Sequence, residues 1–177
     1  MFTRIKKKID DMKTISKLCQ GAEKHANLNG EEKPGVEHFM LSALDLPDGT
    51  ARGVFKRLDT DPDGVNQAIK MQHFDALKSV GMDLKSTSYD MSAPEIVQRS
   101  TKLYDTQPSG QILLKELYKL NKNRNTQLLG VHVLEVVASM EKGIAARTLR
   151  KMGIDPTAFN KAIKDEKKET SINSEHL

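Results

Sequence analysis

Glu37 and His38 stand side by side, a carboxylate next to an imidazole, the two groups that general acid–base chemistry most often uses. Their spacing argues against a shared reaction. Neighbours on a helix project about 100° apart and do not face one another. One is expected to turn inward and one outward. His38 then serves a capping or packing role, and Glu37 complements the positive end of its helix without any ligand. Cys19 is the chain's single cysteine. It falls on the apolar stripe of the first helix, which reads as a small buried hydrophobe rather than a nucleophile. The five histidines are scattered without metal-ligand spacing, and His25 is expected to be partly buried rather than to bind a metal. No G-x-x-x-x-G-K-[ST] loop occurs, so no stretch is built to cradle a nucleotide's phosphates. Arg147, Arg150 and Lys151 read as a solvated helix surface before an anion-binding face. No catalytic residue, metal ligand or cofactor is expected, and the chain is not expected to be an enzyme.

The elements that would carry these residues are helical. Aromatics are 5% of the chain, and alternating β-branched runs are absent. Ile5, Ile9, Met12, Ser16, Cys19, Ala22 and Ala26 step by three or four, which predicts a long first helix with one small-to-apolar stripe. Asn29-Gly30 stops it, and Pro34 opens a second helix over Val36, Phe39, Met40, Ala43 and Leu44. Ala51, Val54, Phe55 and Leu58 make a third. Asp61-Pro62 opens a fourth over Val65, Ala68 and Ile69. The stretch from about 80 to 91 reads as a linker, and Ser92 to Glu95 as a capping box. Long amphipathic spacing then returns with Leu113, Leu117 and Leu120. Gly130 opens a helix over Val133, Val136, Val137 and Met140. Ala145, Thr148, Leu149 and Met152 follow Gly143, and Phe159, Ala162 and Ile163 follow Asp155-Pro156. The tail "KDEKKETSINSEHL" is polar and expected to fray.

The two halves match each other. "GTARGVFKRLDTDPDGVNQAIK" (Gly49 to Lys70) lies over "GIAARTLRKMGIDPTAFNKAIK" (Gly143 to Lys164) without a gap, and eight of the 22 letters are shared. With a one-residue shift, Gly35-Val36 lies over Gly130-Val131. A four-helix unit used twice would do this. Each unit has an apolar face too large to leave wet, so the copies are expected to pack together about a pseudo-twofold axis. The shared letters are glycines, caps and core residues, which are scaffold rather than chemistry.

Composition bounds the setting. A chain of 177 residues with 29% charged and 37% hydrophobic residues suits one domain or two small ones. No apolar run approaches the roughly 20 residues that span a bilayer, and no secretory signal is read at the N-terminus. The lone cysteine fits a reducing, cytoplasmic location. The net charge of +4 is spread among acids, which is not the concentrated basic footprint of a nucleic-acid binder.

Three stretches, "PGVEHFMLSAL", "DGTARGVFKRLDTDPDGVNQAI" and "LGVHVLEVVASMEKGIAARTLRKMGIDPTAFNKAI", resemble the double repeat of the Clp unfoldase N-terminal domain. The likeness runs from about Ile15 to Lys164. It implies an all-α fold of two four-helix repeats with pseudo-twofold symmetry. Residues 1–167 would form the double domain (repeat 1 about 1–79, linker about 80–91, repeat 2 about 92–167), with 168–177 a polar tail. In that family the domain is a docking module at the entrance of an ATP-driven unfoldase. Some members recognise phosphorylated arginine through the glutamate of a Gly-x-Glu-His motif. By position that glutamate is Glu37, and the shifted register sets His132 opposite it in the second half. The resemblance thus implies a non-enzymatic adaptor, regulator or docking piece whose partners are Clp subunits, adaptors or substrate proteins. An N-terminal fragment of an unfoldase is the alternative within the family, and a weak nucleic-acid or anion binder the alternative outside it.

Overall fold

The computed structural model describes residues 2–79, 105–122, 124 and 126–175. These residues form eight α-helices and no strand: α1 (Phe2–Leu28), α2 (Val36–Leu44), α3 (Thr50–Arg57), α4 (Gly64–Ser79), α5 (Pro108–Lys122), α6 (Gly130–Ser139), α7 (Ile144–Lys151) and α8 (Pro156–Glu175). None of them is long and apolar enough to cross a membrane. The expected linker at about 80–91 and the Ser92–Glu95 capping box lie outside the described residues.

Two short helices form the centre. Every residue of α2 is buried, because α1, α3, α4, α5, α6 and α7 all pack against it. α6 contacts α2, α3, α5, α7 and α8, and buries Val131, Val133, Leu134, Val136 and Val137. The α2–α6 approach is close because Gly130 has no side chain. A Cβ there would stand 2.9 Å from the Ala43 carbonyl oxygen and 3.1 Å from the Ala51 Cβ. Around this pair α3 packs on α8 and α4 on α7. Phe55 and Phe159 meet edge to face in the α3–α8 contact, ring centres 6.0 Å apart and planes 64° apart. A fully buried Leu or Phe contributes roughly 1.5–3 kcal/mol.

Local chemistry sets the ends. Gly30 takes φ +75° after α1, and the Glu31 amide returns to the Ala26 carbonyl at 2.9 Å, the left-handed stop that glycine allows. Asp155 caps α8, its Oδ2 accepting the Ala158 amide at 2.9 Å. The matching Asp61 instead accepts the Asp63 amide at 3.0 Å in a tight turn, so α4 begins two residues after Pro62. The α6 N-terminus is closed by the α2–α3 turn. Asp48 Oδ2 accepts the Gly130 amide at 3.2 Å, and Thr50 Oγ1 accepts the Val131 amide at 2.9 Å.

Three expectations need correction. Ile5, Ile9 and Met12 do not face inward: they are 55%, 48% and 69% exposed. The buried row of α1 is Asp11, Thr14, Leu18, Ala22 and Ala26, because Asp11 is drawn in by a backbone group. Its Oδ1 accepts the Leu128 amide at 2.7 Å while Lys7 donates to Oδ2 at 2.8 Å. Burial pushes the Asp11 pKa up, but the hydrogen bonds from Lys7 and the Leu128 amide outweigh it and hold the carboxyl below its usual range. Second, Glu37 and His38 do not split inward and outward; both are buried, since α2 has no solvent side. Third, the polar stretch from residue 168 continues α8 as far as Glu175. Arg57 holds it from the first half, pairing with Glu166 at 2.7 Å and also with Glu169.

Candidate functional site

Pro34 and Gly35 bring the chain into α2 with Gly35 extended at φ −96°, ψ −179°. That entry sets Glu37 at the second helical position and His38 at the third. The Glu37 carboxyl folds back over Gly35, where a Cβ would lie 2.4 Å from Glu37 Oε1. A side chain at Gly35 would have to displace the Glu37 carboxyl. Glu37 is 1% exposed, and its Oε1 has no hydrogen-bond partner among the described residues. Burial raises the carboxyl from its ordinary value of 4.5 to about 7; its own backbone amide pulls the other way, and the charge of Glu31 adds to the rise. At neutral pH it is therefore divided between charged and protonated forms.

His38 is committed to structure. Its Nδ1 accepts the Gly35 amide at 3.0 Å, satisfying one of the donors a helix start leaves over. Burial, with His73 and His25 nearby, pushes its pKa down to about 4, so the ring is neutral at pH 7 with its proton on Nε2. Glu37 Oε1 lies 3.6 Å from Nδ1, beyond a hydrogen bond, and that lone pair is already taken. The two residues therefore share no proton in this arrangement.

The structure also assembles a group that spacing did not reveal. Glu31, Glu37 and His38 bring ligand-type atoms within 4.8 Å of one another, and His73 Nε2 lies 3.2 Å from Glu31 Oε1. The donor chemistry does not suit a metal. With Nδ1 accepting the Gly35 amide and Nε2 protonated, His38 has no free lone pair to offer. A metal would have to take the imidazole away from the helix cap.

His132 repeats the cap. Its Nδ1 accepts the Leu129 amide at 3.0 Å, and burial with Arg124 and Lys167 close by lowers it to about 3. The N-caps are Gly35 and Leu129. His38 and His132 thus share the third helical position, and Glu37 shares the second with Val131. The shifted register that sets His132 opposite Glu37 is off by one, because the imidazole cap and not the glycine marks the helix start. The signal was present in the sequence as two histidines 94 residues apart, the same offset as the gapless match.

Beside Glu37 a cleft of about 550 Å³ opens between the α2 N-terminus, the start of α5 and the α6–α7 turn. Val36, Ile112, Met140 and Ile144 supply apolar lining, and Glu141, Lys142 and Arg147 stand at exposed positions around it. Gly143, in the turn, takes φ +104°, which lets the chain reverse between α6 and α7. The two central helices differ here. The α6 N-terminus is plugged by Asp48 and Thr50, whereas the first α2 amide, Val36, reaches only Ser109 Oγ at 3.3 Å. Elsewhere, Cys19 is partly buried, and burial with Glu23 nearby pushes its thiol up to about 12. His25 meets Asp45 at 2.7 Å. Arg147 and Arg150 are exposed on α7, and only Arg147 lines the cleft.

No protein-family model matches the chain, and no curated protein matches it in sequence.

Proposed function

We propose that the chain is a protein-interaction module of the Clp N-domain kind, acting as an adaptor, regulator or docking piece for Clp-type unfolding and proteolysis. The observation that carries this reading is the cleft at the α2 N-terminus, with Glu37, whose Oε1 lacks a partner, in its lining and two cations, Lys142 and Arg147, against one acid, Glu141, around it. A carboxylate in an apolar setting favours a guanidinium through charge-assisted hydrogen bonds. Cations at the mouth favour an anionic group on the same ligand. Phosphorylated arginine carries both on one side chain.

The repeat reading draws support from the crossed packing of α3 on α8 and α4 on α7, and from the two imidazole caps at one sequence offset. Two units packed about a pseudo-twofold axis would produce both. Only Glu37 offers an acid, since Val131 takes that helical position in α6, so one binding site is expected.

Calorimetric titration with free phosphoarginine tests the cleft. Saturation at one site, lost in Glu37→Ala, supports it; equal binding by the variant refutes it. Capture of purified Clp subunits by the immobilised chain tests the pathway. Retention of nucleic acid alone, falling steeply with salt, would replace the reading with the anion-binding one.

A further inference from the structure

The outer face of α1 carries a second pattern that the cleft does not use. Ile5, Ile9 and Met12 step by four and three, the a/d spacing of a coiled-coil seam, while Ser16 and Cys19, next in the same register, are already partly buried. Ile5, Ile9 and Met12 are exposed, on the side of α1 away from the buried Asp11, Leu18 and Ala22. Taking Ile5 and Met12 as d and Ile9 as a, the flanking e and g positions are Lys6, Lys8 and Lys13, all exposed. The neighbouring Lys7 is excluded from this face, tied inward to Asp11 and Asn121.

We infer that the exposed seam of α1 docks an acidic amphipathic helix of another protein, with Ile5, Ile9 and Met12 as its apolar contacts and Lys6, Lys8 and Lys13 as its charge selectors. Charge decides the occupant. A second copy would set Lys8 against Lys13 in a parallel pair, or each lysine against a lysine in an antiparallel one, and like charges at e and g oppose pairing. Glutamates at those positions of a partner turn the same contacts attractive. The width of the stripe separates a helix from a bilayer. At 100° per residue the three side chains span roughly 60°, the narrow seam of a helix pair rather than the broad face of an interfacial helix.

The test uses the full chain and a synthetic three-heptad peptide with Ile at a, Leu at d and Glu at e and g, beside a twin carrying Lys at e and g. The acidic peptide should bind and the basic twin should not. Ile9→Ser, an exposed change, should weaken binding about tenfold through lost apolar burial. The triple change Lys6→Glu, Lys8→Glu, Lys13→Glu should exchange the preference, binding the basic peptide instead. Glu37→Ala should leave both results unchanged, which separates this face from the cleft. Circular dichroism confirms that each variant stays folded. Equal binding of both peptides, or of neither, overturns the inference. So does self-association of the chain by sedimentation, or tighter binding to vesicles of equal phosphatidylglycerol and phosphatidylcholine than to the acidic peptide.

Discussion

Glu37→Gln should make the protein more stable at pH 8 and leave it nearly unchanged at pH 4.5. The Glu37 side chain is 2% exposed, and its pKa rises from 4.5 to about 7 on folding. The folded state therefore holds the proton more tightly than the unfolded chain. Its contribution is fully present below 4.5 and is lost as pH rises through about 7. At about 1.4 kcal/mol for each pH unit, the loss by pH 8 is about 3 kcal/mol. Glutamine has the shape and neutrality of the protonated acid at every pH and escapes this loss. His38 and His132, lowered to about 4 and about 3, have the opposite sign: their contributions are present above 6.5 and are lost as pH falls towards those values. They occur in both proteins and cancel in the difference. The assay is urea unfolding of both proteins at intervals from pH 4.5 to 8 at constant ionic strength. The difference should open with a slope of about 1.4 kcal/mol per pH unit. A difference that stays constant with pH, or a glutamine variant less stable at pH 8, refutes a buried, largely uncompensated carboxyl.

Affinity for a guanidinium ligand in the cleft should fall about tenfold for each pH unit below 7, since only ionised Glu37 pairs with it; calorimetry at pH 5, 6 and 7 reads this. Asp11→Ala should cost about 1–3 kcal/mol in thermal or urea unfolding, because it strands the Leu128 amide that the carboxylate accepts at 2.7 Å. Gly130→Ala should cost about 1–3 kcal/mol, since the new Cβ meets the Ala43 backbone at 2.9 Å. Gly53→Ala should cost less in the same assay, because its Cβ meets only the Glu166 carboxyl, which can swing aside. Cys19, with its thiol pushed up to about 12, should react with iodoacetamide at pH 8 far more slowly in the native protein than in urea.

The helical character was legible wherever apolar residues recur at helical spacing between strong stops. Gly30, Gly143 and Asp155 end or begin helices as their chemistry requires, and the apolar positions assigned to α3 and α6 are buried or partly so. The face of α1 was misread for a specific reason. Ile5, Ile9 and Met12 form the better apolar stripe, but a carboxylate can be buried when it satisfies a backbone donor, and no pattern in sequence announces the Leu128 amide 117 residues away. The adjacency of Glu37 and His38 was equally uninformative. Their separate roles follow from what covers α2 and from which ring nitrogen faces Gly35.

By itself the sequence determined the helical character of the described residues, the main breaks, and a gapless internal match over 22 residues. All of these depend on residues within a few turns of one another, or on direct comparison of letters. The tertiary structure alone decided that α2 is enclosed on every side, that Glu37 loses its water and rises towards pH 7, and that a cleft opens beside it while the α6 start is plugged by Asp48. Burial and electrostatics depend on residues far apart in the chain, and a one-dimensional spacing carries no record of which of them meet.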